Sequence, residues 1–437
     1  MALTKILDKL VQIGPGYLDQ TLRTYVASNR DLKLYTRNDK SYAVIAYYTS
    51  GKFVLNETKN VDILLVGGGG GSSIGNLTGG SGAGEVVVVE NALLPNGEYT
   101  IEVGAGGAGG THASGGTVGL PVDATAVGSV GQDTKFYRHG APAGPEALTA
   151  QGGGVGGYRN PGGDILSLTG GSGGGAGGAD YDPNVNSFKG YGGVNVPTVY
   201  ALGAANTVST NSLGINVYFT GNVYSYGNAG GNSHPWSNNP ITATSIESYH
   251  AGGGGGAGTK GGDSNIHEAG SGGDGVTVDW VNEVYKEAYH FNGGMTEGYD
   301  LGKVYWGGGG GGAASRDEEP GDGGMGGGGG GAGWRSIYWN TETSETDYQL
   351  FWDGKGGKYG INDGHDAKEL LGGHGGKNTG GGAGGTMYLD NSVKAEAQRD
   401  ITLGNNGGSG VVLIRIHLDS PFSPYSQSLT GPYNVQP

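Results

Sequence analysis

Short apolar runs in this chain stop where side chains stop. Val61-Asp62-Ile63-Leu64-Leu65-Val66 reads as a buried strand and leads directly into Gly67–Gly71. Val86–Val89, Tyr99–Val103 and Val411–Ile416 read as further strands bordered by glycine-rich sequence. Three more unbroken runs follow, Gly252–Gly256, Gly307–Gly312 and Gly326–Gly331. Near the N-terminus the pattern changes: Leu3, Ile6, Leu7, Leu10 and Val11 form one helical stripe, ended by Gly14-Pro15. That stripe suits either a helix packed on its own domain or a docking and oligomerisation helix.

Glycine accounts for 100 of the 437 residues, more than three times ordinary usage. Each glycine ordered in regular structure costs about 0.5–1 kcal/mol relative to alanine. Such a chain is therefore either disordered or built so that bare backbone packs where side chains would obstruct. The second reading fits better. The chain carries 26 Tyr, 6 Trp and 7 Phe, whereas disordered segments are poor in aromatic and β-branched residues. One backbone geometry suits the runs: an extended left-handed helix of three residues per turn, with its N–H and C=O groups pointing outward to neighbours. A run of six spans roughly 19 Å at ~3.1 Å per residue. The lattice positions expected on this basis are Gly67, Gly69, Gly71, Gly252, Gly254, Gly256, Gly307, Gly309, Gly312, Gly326, Gly328 and Gly331. The fold class expected is mostly irregular and β, a bundle of such helices with flanking short strands and little α-helix.

Composition removes several function classes. With 15 prolines and no sustained Gly-X-Y period, the chain is not collagen. It has no cysteine, so disulfides, thiolate metal sites and thiol nucleophiles are absent. Lys5, Asp8 and Lys9 break the N-terminal apolar stretch, so no signal peptide is expected, and no run suits membrane insertion. Residues 1–60 hold nine Lys/Arg against five Asp/Glu, a charge of +4, which leaves −19 of the net −15 on the rest. An acidic body repels phosphate backbones, so nucleic acid is not expected as a partner.

Three glycine-poor interruptions, Val194–Tyr226, Val276–Leu301 and Arg335–Asp353, are rich in aromatic and polar residues. If the runs are rods, these segments connect rod ends, and loops on a rigid scaffold are where recognition sits. The candidate contact residues are Trp334, Tyr338, Trp339, Tyr348 and Trp352 in the third interruption and its edge. Tyr224, Tyr226 and Trp236 belong to the first or lie just beyond it, and Trp280 and Tyr285 to the second. The opposing reading is that many of these rings cap the lattice; Val281, Val284, Tyr285 and Ala288 also fit a short amphipathic helix.

No catalytic or metal motif emerges, and neither a cofactor nor a metal is expected. Gly372–Thr379 offers a phosphate-loop lookalike with Asn378 where Ser or Thr belongs. Asp180–Asn184 starts like a calcium loop, then lacks its central glycine and final acid. Asp363-Gly364-His365-Asp366 reads as a solvated turn, and none of the nine histidines has paired ligand spacing.

The succession VDILLVGGGGG, GGSGAGEVVVV, LPNGEYTIEVGAGGAGG, VYWGGGGGGAA and GGSGVVLIRI resembles the glycine-rich domains of bacteriophage tail-fibre and receptor-binding (adhesin) proteins. Tyr42–Gly71, Thr100–Gly107 and Gly407–Ile416 carry it most specifically. The resemblance implies a bundle of polyglycine-II helices with variable loops at one end contacting the host. It implies attachment of a virion to a bacterial cell-surface glycan or outer-membrane protein, in company with other tail-fibre subunits. A homo-oligomer, with a trimer as one form, and synthesis in the host cytoplasm go with that reading. A structural virion or surface-fibre component without receptor binding is the alternative. The organisation expected is 1–40 for docking or oligomerisation, 41–417 for the glycine-rich domain, and 418–437 for an extended Pro-containing tail. The glycine-rich region of anaplastic-lymphoma-kinase-type receptors is similar in style, but the absence of cysteine counts against it.

Overall fold

The computed structural model describes residues 31–38, 40–55, 58–75, 77–111, 127–140, 147–159, 165–166, 169–177, 222–233, 250–265, 267–285, 303–314, 318–336, 349–368, 370–387 and 404–418. The N-terminal stripe and the C-terminal tail lie outside them. The first strands are β1 (Asp31–Arg37), β2 (Lys40–Tyr47), β3 (Gly51–Leu55), β4 (Lys59–Val66), β5 (Val86–Leu94), β6 (Gly97–Glu102), β7 (Thr134–Arg138) and β8 (Leu148–Ala150). Then come β9 (Tyr158–Arg159), β10 (Ile165–Leu166), β11 (Asn222–Tyr226), β12 (Val276–Thr277) and the helix α1 (Asp279–Tyr285). The last are β13 (Tyr305–Trp306), β14 (Ala332–Ser336), β15 (Gln349–Asp353) and β16 (Val411–Leu418). The protein is nearly all strand and irregular structure, as its composition implies. All four strands read from the apolar runs are present, and the sheet reaches back to Asp31, ahead of the boundary expected at 40.

Two antiparallel sheets face each other. One has the order β1-β2-β16-β4-β5-β11, the other β3-β6-β7-β8. The C-terminal strand β16 therefore sits in the middle of the larger sheet, paired with β2 on one side and β4 on the other. Alternate residues of β2, β4, β5 and β16 point to the smaller sheet, where Ile45, Ile63, Leu65, Val87, Ile414, Phe53, Tyr99 and Phe136 form one core. Their intervening neighbours Val44, Leu64, Val66, Val86, Val88 and Leu413 form a second core on the opposite face, covered by Trp280 and Val281 of α1 and by Trp306. Because both faces of the larger sheet are covered, its strands read as unbroken apolar runs rather than alternating ones.

Below the sandwich the strands run on as glycine rods. Gly67 and Gly70 donate to Glu85 and Gly82, Gly68 and Gly71 to Gln132 and Ser129, and Gly69 and Ser72 to Gly408 and Asn405. Each N–H returns to the same neighbour after three residues, and that neighbour has stepped back by three. This is the signature of a three-residue helix packed antiparallel against three others. Residues 252–257 repeat the pattern, donating in turn to Ala176, Gly262, Gly310, Gly173, Thr259 and Gly307. Three rods run parallel instead and close a ring: Gly308 donates to Gly326, Gly329 to Gly382, and Gly382 to Gly308.

Position in the lattice determines sequence. Residues 67–73, 79–85, 152–157, 171–177, 251–257, 306–314, 326–333 and 379–387 are buried throughout, and they are Gly, Ala, Ser or Thr with few exceptions. Peripheral rods need glycine only where they face inward. In 104–110, Gly104, Gly107 and Gly110 are buried while Ala105 and Ala108 are exposed. In 128–134, Gly128, Gly131 and Thr134 are buried while Ser129, Val130, Gln132 and Asp133 face water. A β-carbon on Gly69 or Gly254 would stand 2.0 Å from the carbonyl oxygen of Gly381 or Ser81. Gly307, which turns the chain out of β13 into its rod, has φ 73° and needs glycine for its backbone angle as well.

Where rods reach the surface, short acidic side chains take the remaining N–H groups. Asp263 accepts from Asn232 at 2.6 Å, Asp274 from Met325 at 2.9 Å, Asp322 from Lys355 at 2.6 Å and Asp366 from Gly356 at 2.8 Å. These four carboxylates thus serve backbone donors that would otherwise lack a partner.

Candidate functional site

The rods give the molecule two distinct ends. One is the sandwich, into which 67, 85, 133, 151 and 410 lead directly. At the other, Gly110 donates to the Ser72 carbonyl and Gly128 to the Ser73 hydroxyl. There Ser264 joins Asn232 to His250, His250 bridges to Ala314, and Ala314 bridges to Gly333 at the start of β14. Thr386 meets Thr78 and the Ser73 carbonyl, and Gly404 donates to Gly110. The described residues on both sides of 112–126, 234–249, 315–317, 337–348 and 388–403 therefore stand together at the end remote from the sandwich. The hairpins β9–β10 and β14–β15 rise from the same end, continuing the rods 152–157 and 326–331.

The ten candidate aromatics divide by position. Trp334 and Trp352 lie on the paired strands β14 and β15, with Trp334 opposite Phe351 and Trp352 opposite Gly333. The third interruption is thus anchored at the remote end, as expected of a rod connection. Tyr338, Trp339, Tyr348 and Trp236 lie outside the described residues. Tyr224 and Tyr226 stand two residues apart on the edge strand β11, 43% and 36% exposed. Burial first, then Tyr224 and Glu90 nearby, hold the Tyr226 phenol above its ordinary pKa. Tyr285 closes α1.

Trp280 is corrected by the structure. It is 3% exposed and belongs to the second core, with its ring 5.1 Å from the Arg415 guanidinium. The helix glimpsed in Val281 and Val284 turns this ring toward the sheet, since position 280 shares its buried face with Val281. The second interruption also connects two rods, and α1 and β13 place its described ends beside the sandwich.

One polar cluster escaped the sequence reading. Asp62, its side chain 1% exposed, sits at a bulge between β4 and β5. Its Oδ1 accepts the Asn91 N–H at 2.8 Å. Its Oδ2 accepts Arg415 Nε at 2.7 Å and faces His417 Nε2 at 2.5 Å. Burial alone would raise the Asp62 pKa. The His417 hydrogen bond, the Arg415 charge and the Asn91 N–H outweigh it and hold the carboxyl below the ordinary 3.8. Arg415 also lies 4.8 Å from the Tyr42 ring centroid. The signal was present in the sequence: one acid in an apolar strand, and a base in another.

The acid–histidine group at 363–366 is taken up in the lattice. Asp363 pairs with Lys358, Asp366 with Lys355, and the His365 ring meets His374 edge to face at 5.7 Å. His374 Nδ1 accepts the Asn406 N–H at 2.9 Å, and burial followed by the His365 charge lowers its pKa. Among the described residues no three metal-ligating side chains come together, and no helix is long and apolar enough to cross a membrane.

The sequence model for a glycine-rich domain matches residues 49–279, more than half of the chain. The chain belongs to this glycine-rich domain family. No curated protein matches it. The matched span of the glycine-rich domain begins before β3 and ends at the start of α1. It therefore takes in most of the sandwich and the rods up to 275, while β16 and the parallel ring of rods complete the same lattice from beyond it.

Proposed function

We propose that this glycine-rich domain is a receptor-binding part of a bacteriophage tail fibre, attaching the virion to a bacterial cell-surface glycan or outer-membrane protein. The observation that carries the reading is the common exit of five chain segments at the end remote from the sandwich. An inner rod is buried and carries few side chains beyond Ala, Ser and Thr, so it offers a partner little to recognise. The glycine-poor sequence around Trp334, Tyr338, Trp339, Tyr348 and Trp352, and that around Trp236, is attached where the rods end. A rigid platform lowers the ordering entropy lost on contact, which favours binding. Several copies on one particle would raise a weak single-site affinity through effective concentration. The sandwich, with the segment preceding β1, is then the side that meets other fibre subunits or sister copies.

The chain has no cysteine, which allows one thiol to be placed at either end. Glu268→Cys lies at the remote end and Leu93→Cys at the top of the sandwich, and both positions are exposed. Fluorescent protein would be tested against a broad panel of bacterial cells before and after coupling a bulky polymer to each thiol. Selective binding that is lost on coupling at 268 and kept on coupling at 93 is expected. Binding blocked only at 93 would reverse the orientation. No binding by uncoupled protein to any cell would remove the receptor-binding reading and leave the structural fibre component.

A further inference from the structure

Three Asn-Gly pairs occur in the chain, at 96–97, 292–293 and 406–407, and the second lies outside the described residues. The other two are chemically alike and both asparagines are exposed, but their side chains differ in hydrogen bonding. Pro95 and Asn96 link β5 of the larger sheet to β6 of the smaller, whose first residue is Gly97. Asn96 is exposed, and its side-chain amide has no hydrogen bond among the described residues. Gly97, with φ 146°, opens β6 opposite Leu55 of β3, and as glycine it has no β-carbon to crowd the approach of its nitrogen. The Arg138 guanidinium lies alongside, 3.4 Å from where such a β-carbon would stand. Asn406, by contrast, holds the Gly109 N–H with its Oδ1 at 2.9 Å, while the Gly407 N–H donates to Gly107 at 2.9 Å.

We infer that Asn96 is a site of spontaneous deamidation in the folded protein, and that the lattice protects Asn406 from the same reaction. The Gly97 backbone nitrogen gives up its proton and bonds to Asn96 Cγ, closing a five-membered imide. The side-chain nitrogen takes up the proton and leaves as ammonia. Water then opens either imide carbonyl, leaving aspartate or isoaspartate at 96; the net change is loss of ammonia and gain of water. Both products add a negative charge beside Arg138, which favours them. The isoaspartate product also adds a backbone methylene to the link between the sheets. At 406 the reacting amide and the attacking nitrogen are each tied to a neighbouring rod. Two hydrogen bonds must open first, which slows the reaction by about thirtyfold. The inference is independent of the receptor-binding reading.

The test is incubation of the full-length native protein at mildly alkaline pH, followed by cleavage after glutamate. This releases Asn91–Glu98 as one peptide. Mass spectrometry measures conversion of amide to acid, and isoaspartyl methylation distinguishes the two products. Conversion in the 91–98 peptide at a rate more than tenfold above that at 406 is expected, as is near-equality of the two rates in denaturant. Asn96→Gln should remove the signal from the 91–98 peptide. An unconverted 91–98 peptide in native protein overturns the inference, and so does conversion at 406 matching that at 96 before unfolding.

Discussion

Replacing Gly309 with alanine tests the packing argument with a single methyl group. A β-carbon there would stand 2.2 Å from the Gly254 oxygen, 2.7 Å from the Gly254 carbonyl carbon and 2.8 Å from the Gly255 oxygen. Ordinary non-bonded separation is about 3.5 Å, so the two rods must part by more than an ångström. Three hydrogen bonds cross that region: Gly309 to Gly273 at 2.8 Å, Gly254 to Gly310 at 2.8 Å and Gly324 to Gly309 at 2.9 Å. Each buried group left unpaired costs about 1–3 kcal/mol, so the expected loss is roughly 3–9 kcal/mol. That is comparable to the whole stability of a typical domain, about 5–15 kcal/mol. Urea unfolding followed by circular dichroism measures it directly. The matched control is Ala105→Leu, which adds a larger side chain on a water-facing rod position and should stay within about 0.5 kcal/mol. An unchanged midpoint for Gly309→Ala, or equal losses in the two variants, would refute the reasoning.

Asp62→Asn should cost about 3–5 kcal/mol, because Arg415 is left largely buried without its counter-charge. The same cluster makes a pH statement. The folded pKa of Asp62 lies below its ordinary value, so its contribution is fully present above about pH 4 and fades as pH falls through the lowered folded value. An acid titration in which wild type and Asp62→Asn converge at low pH is expected; parallel curves would contradict it. Trp280→Ala should lose about 3–5 kcal/mol of core packing. Trp280→Phe should lose far less, since the buried indole N–H has no hydrogen-bond partner among the described residues to give up. Equal losses in chemical denaturation would rule out a packing role. Tyr99, pushed up to about 12 mainly by burial, is neutral in the folded state at pH values where a free phenol ionises. Its contribution is fully present below about pH 10 and is lost as pH rises toward 12. Ultraviolet titration showing a normal phenol at 99 would oppose this.

Much of the fold could be read from the chain because its two building materials are so different. Val61–Val66 and Val411–Ile416 show only apolar residues and one charge each, and they pair with each other. Runs such as Gly307–Gly312 announce inner rods because no other residue fits. Peripheral rods were harder to see. In 128–134 only Gly128 and Gly131 are obligatory, and two glycines three apart carry no distinctive signal. Choice of partner among rods was not legible, since the packing units are identical backbones. The misreading of Trp280 has a related cause. In a chain with few side chains, aromatic residues must serve both as surface contacts and as the lids of small cores. Their sequence neighbours do not distinguish the roles until the helix is placed. The Asp62 cluster was not legible because Arg415 and His417 lie more than three hundred residues away in sequence.

The lattice constrains where anything variable can be placed. Most inner rod positions reject even a methyl group, a few hold Ala, Ser or Thr, and a peripheral rod position accepts side chains on the water-facing part of each turn. A rod end accepts an insertion of any length, because the chain leaves the packed region and returns to it within the same surface. Tolerance therefore rises along each rod from its middle to its tip. At the sandwich end the tips that enter the larger sheet are joined to strands whose two faces are both covered, which removes that freedom there. The remote end combines a rigid base with that freedom in five chain segments. A protein that must hold still while presenting many different surfaces is well served by this division. This is the physical reason for proposing recognition at the end bearing β14 and β15 rather than on the rods or the sandwich.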